Sequence, residues 1–467
     1  MIIKEYHLKQ QTPMIHFQSF EEGATVRASE VKPKLDRFLI IQLGGENKIP
    51  KEWWIDWNNE KKEPNHHALA YKMRITAKGK NDALAHPVTE TSKRANGREI
   101  GKGIGAYFFD DKNRYKSSYY KNIELTIICF NEQLMKKIDN YIISFFALHN
   151  FGLRQNKGFG SFIIGDNLKK SYESAVAQSS GFYLELKSSD TTEILNTIND
   201  FWKKIKNGKS KQDGGMYVRS FLMKKYFGHL TSTIHLNEKK AMKTVMQSCG
   251  LKLDYDSPNG LAAYDNDRNN KIEKMDLTGE SLSSLIRPEY IRGILGFAQY
   301  YEFRNVELAD DKYKDKKFNI RFDLDGEVIE RFSAPVTFKP IIGNEKTDIF
   351  INFNNDALEQ LEKLCTTSIT LKCCRSDKPR HNENQFDREV SNIIDNINRK
   401  PFKLTIPQLD TEITYANFLQ DFFNKVFNDK NYRIGEIKKR ASKIAQIGEN
   451  KKGKSSIKYE LKRGDYK

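Results

Sequence analysis

The chain has 467 residues, of which 38% are hydrophobic, 12% aromatic and 30% charged. That length is too great for one small core and favours two or three domains, and no stretch approaches the ~20 apolar residues of a membrane helix. Its 78 Lys and Arg outnumber 61 Asp and Glu, a formal charge of +17 that suggests a polyanionic partner, with a basic soluble protein as the plain alternative.

The opening "MIIKEYHLKQQTPMIHF" begins with strand-like alternation and has no apolar signal core. "RASEVKPKLDRFLIIQL" reads as a helix, with Ser29 as its expected cap and Pro33 in its first turn. Val31, Leu35, Phe38 and Leu39 form its apolar face. An insert with Trp53, Trp54 and Trp57 follows. These rings either cap the core or, if exposed, contact another subunit. "HALAYKMRITA" is an expected strand, "GIGAYFFDD" part of a hairpin, and "NIELTIICF" a strand. "NEQLMKKIDNYIISFFALHNFG" is a helix whose stripe is Leu134, Ile138, Tyr141, Ile142, Phe145 and Phe146, with Gly152 at its end. "FGSFIIG" supplies one more strand. This order over residues 1–165 is the ferredoxin-like plan of an α+β fold, a four-stranded antiparallel sheet covered by two helices.

Residues 166–180 read as a linker. A second, degenerate unit is expected over 166–430, giving two tandem ferredoxin-like (RRM-like) domains with a helical and loop insertion at about 200–300. "GFYLELKSS" is its first strand and "DTTEILNTINDFWKKIK" its first helix. "FNIRFDLDGEVIERFSAPVTFKPI" reads as a hairpin turning at "DLDG". "TDIFINF" is a strand; "NDALEQLEKLC" and "NFLQDFFNKVF" are helices. Residues 431–467 hold 12 Lys or Arg against 4 Asp or Glu. They read as a basic tail, either solvated or an anion-binding arm.

The stretch "GLRQNKGFGSF", residues 152–162, stands between a helix and a strand. A P-loop precedes a helix and ends in Gly-Lys-Ser/Thr, so this is not one. Gly152, Gly158 and Gly160 let backbone approach backbone closely, while Arg154 and Lys157 neutralise phosphates. The alternative is a mobile surface loop. A second basic group, Arg27, Lys32, Lys34 and Arg37, lies on the first helix. Cations near a helix N-terminus oppose its dipole, and a nearby anion relieves both.

Other residue groups suggest competing chemistry. His7, His16 and His149 are the candidates for a general base or acid in RNA cleavage, but none has an evident partner. Asp323 and Asp325 fit a turn better than a metal pair. Residues 265–276 place Asp265, Asp267 and Asn269 as in an EF-hand, yet Asn270 replaces its glycine and Asp276 its bidentate Glu. Cys365, Cys373, Cys374 and His381 match no standard zinc spacing. No metal or cofactor is expected. The scattered, odd set of five cysteines, with Cys129 and Cys249, suits reduced thiols and a cytoplasmic location.

"TVRASEVKPKLDRFLI" and the later "GLRQNKGFGSF" resemble the RAMP superfamily of CRISPR-associated RNA-binding proteins. Ser29, Lys32, Leu35 and Arg37 fill that family's first-helix pattern, with Pro33 where glycine is usual. The two apparent units and "RFSAPVTFKP" (331–340) are similar to the two-RAMP-domain subunits of type III-B (Cmr) effector complexes. The resemblance implies a non-catalytic subunit in antiviral defence. Its partners would be the 3′ region of a CRISPR guide RNA, single-stranded target RNA and other RAMP subunits, with no membrane. The competing activity is a metal-independent endoribonuclease that processes guide RNA; a scaffold for acidic proteins is a third reading.

Overall fold

The computed structural model describes residues 1–15, 25–55, 65–80, 90–93, 99–102, 117–165, 168–207, 221–222, 238–253, 290–296, 300–313, 316–325, 334–364, 368–376, 385–399, 402–406, 414–428, 437–438, 456–457 and 459–463. His16, Trp57, residues 103–111, the EF-hand-like stretch 265–276, Cys365 and His381 lie outside them. Helices and antiparallel sheets make up two compact units. Unit 1 is Met1–Trp202, Val336–Phe353 and Phe423–Lys467; unit 2 is Lys203–Pro335 and Asn354–Phe422.

In unit 1 the elements run β1 (Ile2–Gln10), α1 (Ala28–Gln42), β2 (Tyr71–Lys80), β3 (Tyr120–Cys129), α2 (Glu132–Leu148) and β4 (Phe162–Ile164). The sheet order is β4-β1-β3-β2, antiparallel at each pairing. Alternation in β3 buries Ile123, Leu125, Ile127 and Cys129 against the stripe of α2, where Leu134, Ile138, Ile142, Phe145 and Phe146 are buried. Asn131 caps α2, its side chain accepting from Leu134 N at 2.9 Å. Trp53 and Trp54 are buried in this core, so these two cap it.

Two local expectations for α1 need correction. Its N-cap is Arg27, extended and without a side-chain cap, rather than Ser29. Pro33 is the sixth helical residue, counting from Ala28, and is exposed in the second turn, where it has no N–H to donate to the Ser29 carbonyl.

Residues 166–180 are no linker: Leu168–Gln178 forms α3, packed on α2 through Ser144–Ser174 and the cluster of Ala147, Ala175, Ile341 and Phe350. Ser171 and Ala175, one turn apart, are small enough to let the helices close.

The same strand order then recurs. Phe182–Leu186 is β5, Thr191–Asn207 is α4, Val336–Ile342 is β6, Thr347–Phe353 is β7, Tyr415–Asn428 is α5 and Tyr459–Arg463 is β8. The order β8-β5-β7-β6 repeats β4-β1-β3-β2, again antiparallel at each pairing. Phe338 meets Phe201 and Trp202 of α4, and Phe182 meets Phe423 and Phe427 of α5, on one face. Tyr172 of α3 meets Phe350 on the other. Coverage on both faces explains why β7 is buried almost throughout. Residues 459–463, expected in a basic tail, are therefore the edge strand of this sheet.

Unit 2 holds a five-stranded antiparallel sheet in the order Leu251–Leu253, Tyr300–Leu308, Lys317–Asp325, Ser368–Arg375, Phe402–Thr405. Val336–Ile342, read as the return strand of a hairpin turning at "DLDG", pairs with β7. Asp323 and Asp325 sit within a strand whose partners are Tyr300–Leu308 and Ser368–Arg375. The hairpin joins β6 to β7 instead, because Gly343–Lys346 supplies the turn, closed by Gly343 N to Lys346 O at 2.8 Å. Cys373 is buried and Cys374 half-buried, pointing to opposite faces as strand neighbours must, so the two cannot ligate one ion together. Burial pushes the Cys373 thiol up to about 12.

Candidate nucleic-acid interface

The glycine-rich connection between α2 and β4 is held against the protein's own backbone. Phe151 N donates to Gly160 O at 2.9 Å, Leu153 N to Ile15 O at 2.9 Å, and Gly160 N to Pro13 O at 2.9 Å. Thr12 Oγ1 donates to Gly158 O at 2.6 Å. All three glycines have positive φ: +82° at Gly152, +84° at Gly158 and +64° at Gly160. A β-carbon at Gly160 would lie 1.8 Å from Phe151 O, and one at Gly158 would lie 2.6 Å from Ile198 Cδ1. Gly158 and Gly160 are buried. The close approach read from the sequence is thus made, and the backbone approached is the chain's own.

Edge strand β6 completes the anchor. Lys157 and Phe338 form a parallel bridge, with Phe338 N donating to Asn156 O at 3.2 Å. Asn150 Nδ2 donates to Phe338 O and to Gln155 O, each at 2.8 Å. Thr337 Oγ1 donates to Asn156 Oδ1 at 3.0 Å, and Ser161 Oγ to Pro340 O at 2.8 Å. Lys339 is wholly buried, its Nζ donating to His149 O at 2.8 Å and Phe162 O at 2.9 Å. Burial holds its ammonium well below the usual lysine range.

The expected cations separate into two groups. Lys34 is turned inward: Nζ donates to Gln155 Oε1 at 2.7 Å and Asn150 O at 3.2 Å, lies 3.6 Å from Glu30 and stands over the Phe151 ring. Burial lowers its pKa, with Glu30 opposing. Lys32 points away from the loop, to Asp36 at 2.7 Å, Leu69 O at 2.9 Å and the Tyr71 ring. Burial raises the Asp36 carboxyl, and the Lys32 ammonium opposes that. Arg37 and Arg154 are exposed, and Arg27 and Lys157 half-buried. Arg27, Glu30, Lys34 and Arg37 share one side of α1 by helical spacing. Glu30 Oε1 accepts from Gly152 N at 2.7 Å, so this is the side that meets the loop.

Arg154 has φ 57°, one of two described non-glycine residues in the left-handed region. It sits at the turn closed by Lys157 N to Arg154 O at 2.8 Å. The residues that hold this loop, Glu30, Asn150, Gln155, Thr337 and Lys339, were not expected at the site. The pattern "FKP", a lysine inside an apolar strand, was the one available signal for them.

His149 does not fit a solvent-facing general base. It is stacked on Phe145 at 4.7 Å, Nδ1–H donates to Phe145 O at 2.9 Å, and burial lowers it to about 4. His7 is exposed on β1. Among the described residues, no group of three or more His, Cys, Asp or Glu side chains is placed to hold a metal ion, and no helix is long and apolar enough to cross a membrane.

Residues 1–209 match the family model of the Cmr1 N-terminal domain, and residues 217–453 that of the Cmr1 C-terminal domain. The class is therefore that of the RAMP-type, CRISPR-associated proteins. The chain belongs to the Cmr1 family, and that membership points to a subunit of a type III-B Cmr complex. Among solved structures it is similar to apo Cmr1 from Pyrococcus furiosus, at 11% identity and a TM-score of 0.28, covering 86% of this chain and 98% of that one. No curated protein sequence matches it.

Proposed function

We propose that this chain is a non-catalytic RNA-binding subunit of its Cmr complex, contacting the 3′ region of the guide RNA and single-stranded target RNA beside other RAMP subunits in the cytoplasm. The strand order β4-β1-β3-β2 and its recurrence support reading both sheets as ferredoxin-like RAMP domains. The second is interrupted by unit 2.

The observation that carries the RNA reading is Arg154: a charged side chain exposed at the turn of a loop whose flanks are bonded to three other segments. Backbone strain at a charged surface residue is retained where the side chain's placement matters. Arg154, Lys157, Arg27 and Arg37 are the proposed phosphate contacts. Lys32 and Lys34, with Gly152, Gly158 and Gly160, shape the surface from within. Such contacts give affinity with little base preference, and sequence is read by guide–target pairing.

The test is the double change Arg154→Ala with Lys157→Ala, measured against single-stranded RNA over a salt series. The affinity should fall, and the slope of log K against log salt should lessen by about 1.4 for two lost contacts. An unchanged slope rejects the assignment. Incubation with repeat RNA in EDTA separates the endoribonuclease reading: site-specific cleavage that is lost in His16→Ala would replace binding with catalysis.

A further inference from the structure

Lys339 lies on β6, far in sequence from the loop of the first sheet. Its side chain reaches the two carbonyls that flank the loop, His149 O just before it and Phe162 O just after. His149 is the C-cap of α2, where orphan carbonyls and the negative end of the helix dipole favour a cation. Asn352 Nδ2, from neighbouring β7, donates to Leu148 O at 3.0 Å at the same helix end. Either side of Lys339, Phe338 and Pro340 take the loop's hydrogen bonds from Asn150 and Ser161. Thr337–Pro340 is thus a template along which the loop is laid.

A buried lysine Nζ bonded to two backbone carbonyls is a costly way to hold a core together, since an apolar side chain of similar volume fills the same space. Its distinctive effect is to fix the separation of two particular carbonyls. We propose that Lys339 is the positioning residue for RNA binding: it sets the span of the loop from inside and so fixes where Arg154 and Lys157 meet the RNA backbone. This rests on the reading of that loop as an RNA contact. It assigns a role to "RFSAPVTFKP", and it makes binding by the first sheet's loop depend on a strand of the second.

The experiment uses the full chain, single-stranded RNA as the probe, and Lys339→Met, which keeps volume and removes the donor to both carbonyls. The variant leaves the His149 and Phe162 carbonyls without this donor, so it should stay folded but melt a few degrees lower than wild type. Amides of residues 151–160 should exchange about tenfold faster while those of β1 and β3 are unchanged, and RNA affinity should fall about fivefold to tenfold from lost preorganisation. The salt slope should stay at its wild-type value, because Lys339 touches no phosphate. A changed slope, or unaltered loop exchange in the folded variant, overturns the proposal. If Arg154→Ala with Lys157→Ala weakens binding and Lys339→Met does not, the positioning role fails and the RNA reading stands. If neither weakens it, the RNA reading fails and the proposal with it. Thr337→Val, which removes only the bond to Asn156, serves if Lys339→Met does not fold; it should shift loop exchange and affinity in the same direction, and no shift in either overturns the proposal.

Discussion

Gly160 and Phe151 exchange backbone contacts so closely that no side chain fits between them: Phe151 N donates to Gly160 O at 2.9 Å, and a β-carbon on Gly160 would come within 1.8 Å of Phe151 O. The obstacle is backbone, which cannot swing aside, and φ of +64° adds strain. Gly160→Ala should therefore cost about 3 kcal/mol or more. Urea unfolding checks it, and a loss under about 1 kcal/mol would show that the loop can re-form around a methyl group.

Arg154 offers the opposite trade. Its left-handed backbone at φ 57° suits glycine better than a residue that carries a β-carbon. Arg154→Gly should leave stability unchanged or raise it by up to about 1 kcal/mol, while weakening RNA binding. Melting curves and an RNA titration on the same sample read both. A variant both less stable and equally tight in binding would place the value of Arg154 in the fold.

His149 makes unit 1 acid-sensitive. Its folded pKa, about 4, is below its free value of 6.5, so the folded state binds fewer protons between those limits. Its neutral form favours folding above that window, and the benefit is lost as pH falls from 6.5 towards 4, by up to about 3 kcal/mol. His149→Phe keeps the aromatic contacts with Phe38 and Phe145 and removes the titration. Urea midpoints at about pH 7 and about pH 4.5 should then differ less in the variant than in wild type. Equal differences would show that His149 is protonated in the fold.

Strand β8 pairs along its whole length with β5, Phe182 opposite Arg463 through Leu186 opposite Tyr459. Removing residues 456–467 strips that partner and leaves the β5 edge open. A loss of about 2 kcal/mol or more is expected, with concentration-dependent aggregation. Removing only 464–467 should change neither. If both truncations melt alike, the C-terminal segment contributes nothing to the sheet.

Sequence alone determined the main strands and helices of residues 1–165. The stripe from Leu134 to Phe146 and the β-branched run of "NIELTIICF" encode α2 and β3 through periodicity and propensity, which act between near neighbours. The charge, the glycines and Arg154 were legible for the same reason. Only the tertiary structure decided which charges face outward: Lys32 and Lys34 look like Arg37 in the sequence, but Asp36, Gln155 and the carbonyls of Leu69 and Asn150 draw them in. It also decided that β5, β6, β7 and β8, scattered from residue 182 to residue 463, close one sheet, and that Lys339 braces a loop nearly two hundred residues earlier. Those pairings depend on which distant surfaces bury one another, and no local pattern carries that information.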